Sequence, residues 1–292
     1  MATTMQAVRS RAAETTGRRR RRSGATVAAY AAAAVVAGLV LLPLLFVAVD
    51  GFRSTAQIND DAVGWPSPWR WRNYTGILGD SQFWTFLGNS AQVAVTATGL
   101  AVVCGAMAAF ALARYSFAGR EWLYGFYVLG LLLPPAVAAL PLRLWMSHLG
   151  LLENVYGLGV AEAAFSLPVT IVILRPFLAA IPTELQDAAV IDGTGRLGFF
   201  WRIVLPLSGP GLATVSVLAF VTSWNSYLLP LLVFDDPRHF TLPLGVATYQ
   251  SQYSQDTAKV MAFTALSIVP AVVFLAFAER RVVGGLTGAV KG

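Results

Sequence analysis

Cysteine, histidine and charge are scarce in this chain, and each scarcity removes a class of function. The single cysteine, Cys104, lies inside an apolar block. It permits no intrachain disulfide and no cysteine-based metal site, and reads as a small helix-packing residue. The two histidines, His148 and His239, belong to no His-Glu-x-x-His, and no Gly-x-Ser-x-Gly occurs, so the zinc-hydrolase and serine-hydrolase signatures are missing. Neither lysine, Lys259 or Lys291, sits in a Gly-x-x-x-x-Gly-Lys-[Ser/Thr] loop, so the chain has no phosphate cradle of that kind. Charged residues are 12% of 292, about half the share of a soluble domain. Water is therefore not the solvent for most of this surface.

What fills the chain is apolar: 56% of its residues are hydrophobic, in long blocks. A helix crosses the hydrocarbon core in about 20 such residues. Six blocks meet that length, at 27–49, 86–113, 122–140, 155–174, 212–234 and 260–278. The expected fold is an all-α membrane protein with six transmembrane helices and both termini on one side. The arginines choose the side. Segments before the first span, after the second, after the fourth and after the sixth hold 15 basic residues, and the intervening loops hold six. The richer side is cytoplasmic by the positive-inside rule. The net charge of +6 thus follows from membrane topology, without nucleic acid. The first block is too long for a signal-peptide core and ends in no small-residue cleavage site, so it reads as an uncleaved span. Residues 1–24, polar and arginine-rich, are expected to form a disordered tail. The outer loop 50–82 carries Trp65, Trp69 and Trp71, residue types of the interface belt, and the outer loop 235–257 is expected to fold over the outer mouth.

One inner loop is longer than a connection requires. Between the fourth and fifth spans, residues 183–206 are patterned. Thr183 and Gln186 have capping-box spacing. Glu184 and Asp187 fall near the positive end of the helix that would start there. Leu185, Ala188 and Ala189 share a face, Gly193 breaks the helix, and Leu197, Phe200, Trp201 and Val204 line one face of a second short helix that Pro206 ends. From pattern alone the pair is either interfacial, lying on the membrane, or a docking element for another protein.

The order Asp187-Ala188-Ala189, three residues, Gly193, nine residues, Ile203-x-Leu205-Pro206 resembles the EAA loop of bacterial importer permeases of the ATP-binding-cassette type. Asp187 stands where that pattern has Glu, a carboxylate on a shorter arm. Asp192-Gly193, Ser223-Trp224-Asn225, Thr241-Leu242-Pro243 and the glycine-rich ending 285–292 are similar to the carbohydrate-uptake branch, in particular the maltose-type second permease. The resemblance divides the chain into a basic tail (1–24), a first span with its outer loop (25–85), a permease core (86–281) carrying the EAA loop, and a C-terminal tail (282–292). It implies that Glu184, Asp187, Ala188, Ala189, Asp192, Gly193, Ile203, Leu205 and Pro206 couple the permease to a separate ATPase. It further implies that ATP and Mg bind that partner, with no cofactor or metal on this chain. The partners would be a second permease in a heterodimer, two ATPase copies and an extracytoplasmic sugar-binding protein, in a bacterial inner membrane.

For the substrate pathway the residues point two ways. Trp224, Asn225, Ser226 and Tyr227 offer an aromatic face with amide and hydroxyl groups, which suits a sugar, but the same residue types also glue helices together. Glu162 is the one carboxylate deep in a span, so it either faces the pathway or bonds a neighbouring helix. Proline recurs in several spans, as at Pro134, Pro135, Pro168, Pro230 and Pro270, and Ala101, Gly105 and Ala109 make a smooth packing face. A membrane-embedded enzyme lacks its nucleophile or metal set here. An ion-driven transporter would show ionisable residues in several spans and inverted repeats, and this sequence offers only Glu162 and no convincing repeat. The competing reading within the family is an importer of another solute, such as a polyamine, phosphate or peptide.

Overall fold

The computed structural model describes residues 2–250 and 256–289, with side chains over 26–250 and 256–278. The regular elements are helical. The first, α1 (Ala2–Asp50), is continuous from the basic segment into the apolar one. The sequence reading expects an unstructured tail there, but alanine and arginine are strong helix formers, and no glycine or proline interrupts residues 2–16. Between Val27 and Leu45 the large side chains of α1 are exposed, a surface suited to lipid. Short helices α2 (Thr55–Asp60) and α3 (Arg72–Leu78) fold the following loop back on the end of α1. There Tyr74 Oη donates to the Ala48 carbonyl at 2.6 Å.

The centre is α4 (Ser81–Arg114) against α7 (Val155–Ala179). Small residues let the two backbones approach. Ala97, Ala101 and Ala109 on α4 are fully buried. A Cβ on Gly105 would lie 2.4 Å from Thr170 Cγ2, and one on Gly159 2.7 Å from Thr96 Cβ. Both pairs advance together along the chain, so the helices run parallel. Side-chain caps start both helices: Asp80 accepts from Gln82 N at 2.9 Å, and Asn154 from Tyr156 N at 2.9 Å. A third helix, α10 (Gly209–Trp224), packs onto both, where Ala101, Ala163 and Ala219 meet. The last, α13 (Thr257–Ala289), lies against α10 and α1.

Four helices are long and apolar enough to cross a membrane alone: Thr26–Asp50, α4, α7 and Thr257–Ala278. Two more crossings exist only if two bent pairs are counted as spans, Arg120–Gly130 with Pro135–His148 and Arg196–Leu207 with Gly209–Trp224, giving six. The expected third span, 122–140, is α5 (Arg120–Gly130) and α6 (Pro135–His148) meeting at 101°. Pro134 has ψ 132° and stands before a second proline; the first cannot stay helical in front of the second. The expected fifth span, 212–234, is α10 followed, after residues 225–227, by α11 (Leu228–Val233). Pro168 and Pro270 do not break their helices. The ending 290–292 lies outside the described residues, as do the side chains beyond 278.

Candidate functional site

The inner loop is a hook. Its first helix, α8 (Thr183–Ile191), starts where the sequence places it, but Pro182 occupies the N-cap and no side chain caps the turn. Thr183 is already helical, one residue too late for a capping box. Glu184 lies in the first turn and Asp187 a turn later. The end follows the glycine rule. Gly193 takes φ +76°, Gly193 N donates to Val190 O at 3.0 Å and Thr194 N to Ala189 O at 2.8 Å, the two bonds of a Schellman turn. Of the face expected from Leu185, Ala188 and Ala189, only Ala189 is buried. Leu185, Val190 and Ile191 project outward, Ile191 with 85% of its surface exposed.

The second arm, α9 (Arg196–Leu207), anchors the hook. Phe199, Phe200 and Val204 are buried with Phe110, Leu112, Leu174 and Leu178 at the ends of α4 and α7. Phe110 and Phe200 rings stand 5.2 Å apart. Ile203 and Leu205 pack on the same cluster. The buried stripe is therefore not the expected one, because Leu197 and Trp201 are exposed. This arm is apolar on nearly every side, so periodicity does not single out a face, and a π turn over Phe200–Val204 alters the register. Pro206 is exposed within a last helical turn and does not end the arm; the bend of 81° comes at Ser208. Glu184, Asp187 and Asp192 are exposed along the hook. Beside it, Glu121 receives both guanidinium nitrogens of Arg175, at 2.6 and 3.1 Å. That bond and Arg175's charge hold the Glu121 carboxyl below its usual range.

A cavity of about 550 Å³ opens between the α5–α6 break, α7 and the α10–α11 break. Its wall is mostly apolar, from residues such as Leu131, Pro134, Phe165 and Leu218, with a polar strip of Glu162, Ser166, Thr222, Ser223, Ser226 and Tyr227. Ser223 Oγ donates to Glu162 Oε2, so the carboxylate does both things the sequence left open: it bonds a neighbouring helix and faces a cavity. Its other oxygen is buried without a partner among the described residues. The predicted cluster splits. Ser226 and Tyr227 line the cavity. Trp224 turns away, stacked on Phe220 and donating from Nε1 to Ser267 O at 3.1 Å. Asn225 Nδ2 returns to Val221 O at 2.8 Å. Ser166, Thr222 and Ser223 are the polar wall residues the sequence reading missed as pathway groups. The Ser223–Glu162 bond joins two spans at a separation of 61 residues, and no local spacing signals it.

The start of the outer loop 235–257 is tied down by Glu153, another residue without a sequence signal. It takes φ 56°, accepts from Asp235 N at 2.5 Å and meets His239 Nδ1 at 3.0 Å. Asp236 beside it is held at a pKa of about 2 by hydrogen bonds from the Arg238 side chain and backbone. Among the described residues no group of acidic, histidine or cysteine side chains could hold a metal.

The family described as "Binding-protein-dependent transport system inner membrane component" matches residues 101–282. A diacetylchitobiose uptake system permease of Streptomyces coelicolor is 33% identical, covering 85% of this chain and 83% of its own. A trehalose transport system permease of Mycobacterium tuberculosis is 35% identical, covering 87% and 94%. An arabinooligosaccharide transport system permease of Halalkalibacterium halodurans is 33% identical, covering 88% and 93%. A solved bacterial ABC transporter involved in alginate import superposes with a TM-score of 0.74 over 87% of this chain and 95% of the other, at 20% identity. At that identity the likeness is one of fold.

Proposed function

The chain belongs to the family of binding-protein-dependent transport system inner membrane components, and from that premise we propose that it is the pore-forming permease subunit of an ATP-driven importer for a sugar or oligosaccharide. Membership makes it a transport subunit and not an enzyme. The observation that carries the sugar reading is the substrate set of its relatives. Chains similar over most of its length are named for diacetylchitobiose, trehalose and arabinooligosaccharide transport. The cavity wall is consistent with it, since a carboxylate oxygen and several hydroxyls suit a ligand rich in hydroxyl groups.

In this reading the hook is the coupling element. Leu185, Val190, Ile191 and Leu197 are exposed apolar side chains among the carboxylates Glu184, Asp187 and Asp192, a surface suited to a cleft on an ATPase subunit. Phe199, Phe200 and Val204, buried in the bundle, transmit its movement to α4 and α7. Two such ATPase copies hold the ATP and Mg. A second permease closes the cavity on the side of the α5–α6 break, and an external binding protein delivers the sugar. Both termini are inside, as the arginine distribution requires.

Uptake by a strain lacking only this gene tests the reading. The expected result is lost uptake of one oligosaccharide or disaccharide, restored by the gene on a plasmid, with polyamine, phosphate and peptide uptake unchanged. Loss of one of those three with sugar uptake intact overturns the sugar assignment.

A further inference from the structure

Membrane proteins place few basic residues on the outer side, and those that occur there need a partner or a purpose. On the face opposite the arginine-rich termini this chain has Arg53, Arg70, Arg72, Arg143, Arg238 and Lys259. Four of them hold a carboxylate: Arg53 with Asp50 at 3.0 Å, Arg143 with Asp235 at 2.9 Å, Arg238 with Asp236 at 2.6 Å and Lys259 with Asp256 at 3.1 Å. Among the described residues Arg70 and Arg72 hold none. Both line one pocket of about 690 Å³, together with Lys259, Trp69, Trp71 and Tyr249. Asp80 is the one carboxylate in its wall, and it is engaged in capping α4.

The level of this pocket is fixed by the spans around it. Lys259 directly precedes the apolar run that begins at Val260, which puts its ammonium at the edge of the hydrocarbon. The other wall folds onto the end of α1, where Phe52 packs edge-on against Trp71 at 4.7 Å and Arg70 N donates to Phe52 O at 2.7 Å. Trp69 and Trp71 stack at 5.9 Å, and 62% of Trp71 is exposed. Exposed indoles at the hydrocarbon boundary are interface anchors. Guanidinium groups bind phosphate as paired donors.

We propose that Arg70 and Arg72, backed by Lys259 and framed by Trp69 and Trp71, form an outer-leaflet site for an anionic phosphate, that of a phosphatidylglycerol-type lipid headgroup. The pocket is apart from the transport cavity and independent of which solute is carried. Arg53 has no part in it: its side chain is buried, paired with Asp50 and donating to the Gln57 carbonyl at 2.5 Å.

Native mass spectrometry of the full chain, purified with its associated subunits and exchanged into dioleoylphosphatidylglycerol or dioleoylphosphatidylcholine, tests the site. Each arginine near a headgroup contributes about fivefold in affinity. Retained phosphatidylglycerol is therefore expected to fall about tenfold or more in Arg70→Gln/Arg72→Gln. Arg70→Lys/Arg72→Lys should keep most of it, which separates lost charge from lost folding. Phosphatidylcholine retention should be low throughout. Equal phosphatidylglycerol retention by the wild-type chain and the glutamine variant overturns the site. Displacement of the lipid by millimolar inorganic phosphate would make the ligand a free anion and overturn the headgroup assignment, whereas indifference to phosphate supports it.

Discussion

Gly193 takes φ +76° at the turn between the two arms of the hook. A Cβ there would meet no atom within 4 Å, so the demand for glycine is one of backbone and not of space. A β-branched residue pays about 1–2 kcal/mol for the left-handed conformation, and the cheaper outcome is for the turn to open. Gly193→Val is therefore expected to leave the bundle folded while raising the ATP hydrolysed per solute transported in reconstituted vesicles. Gly193→Asn, which tolerates this conformation, should stay near the wild-type ratio. Gly193 was legible because a helix-ending glycine is a local signal. Trp224 was not: the aromatic and amide cluster carries its chemistry in its composition, but its direction is set by Phe220 and Ser267, and Ser267 lies on a distant helix. The carboxylate of Glu162 was legible as unusual, while its partner Ser223 was only one hydroxyl among many in the spans.

At the level of elements, α4 and α7 are held by fit. Lipid offers no hydrophobic drive to press two apolar helices together, so close packing must do it. Gly105 faces Thr170 at a distance that leaves no room for a side chain. Gly105→Val should destabilise the chain by about 1–3 kcal/mol through overpacking, read as a lower midpoint of thermal unfolding in detergent. Adding Thr170→Ala should recover part of the loss. The small-residue face was readable as four-residue spacing at Ala101, Gly105 and Ala109, and all three are buried. The breaks were harder. Hydropathy sums residues without regard to direction, so 122–140 counts as one span although Pro134 and Pro135 turn it by 101°. The second hook arm misled for a different reason: with Leu197, Phe199, Phe200, Trp201, Ile203 and Val204 within eight residues, any stripe looks apolar. The bundle alone decides that Phe199 and Phe200 go in and Leu197 and Trp201 stay out.

For the whole molecule, the hook and the cavity are joined through the same two helices. Phe199 and Phe200 of α9 pack against the ends of α4 and α7, and α7 carries Glu162 into the cavity wall. In the proposed function a push on the hook would reach the wall by way of these packed side chains. In the same proposal the cavity is half of a chamber. Trp122, Phe126 and Leu132 along the α5–α6 edge are exposed, and a second permease would cover them. Hydropathy makes the class of the fold legible, whereas a neighbour that would complete the chamber leaves only exposed apolar surface in a single chain. In the proposed assembly the hook holds an ATPase. The direct test is to tag the chain, extract it in mild detergent, and quantify by mass spectrometry what accompanies the wild type and a Val190→Asp/Ile191→Asp variant, whose changes fall on exposed positions. The account predicts a Walker-motif ATPase and a second permease with the wild type, and about tenfold or greater loss of the ATPase alone from the variant. No ATPase with the wild type, or equal recovery with both chains, would contradict it.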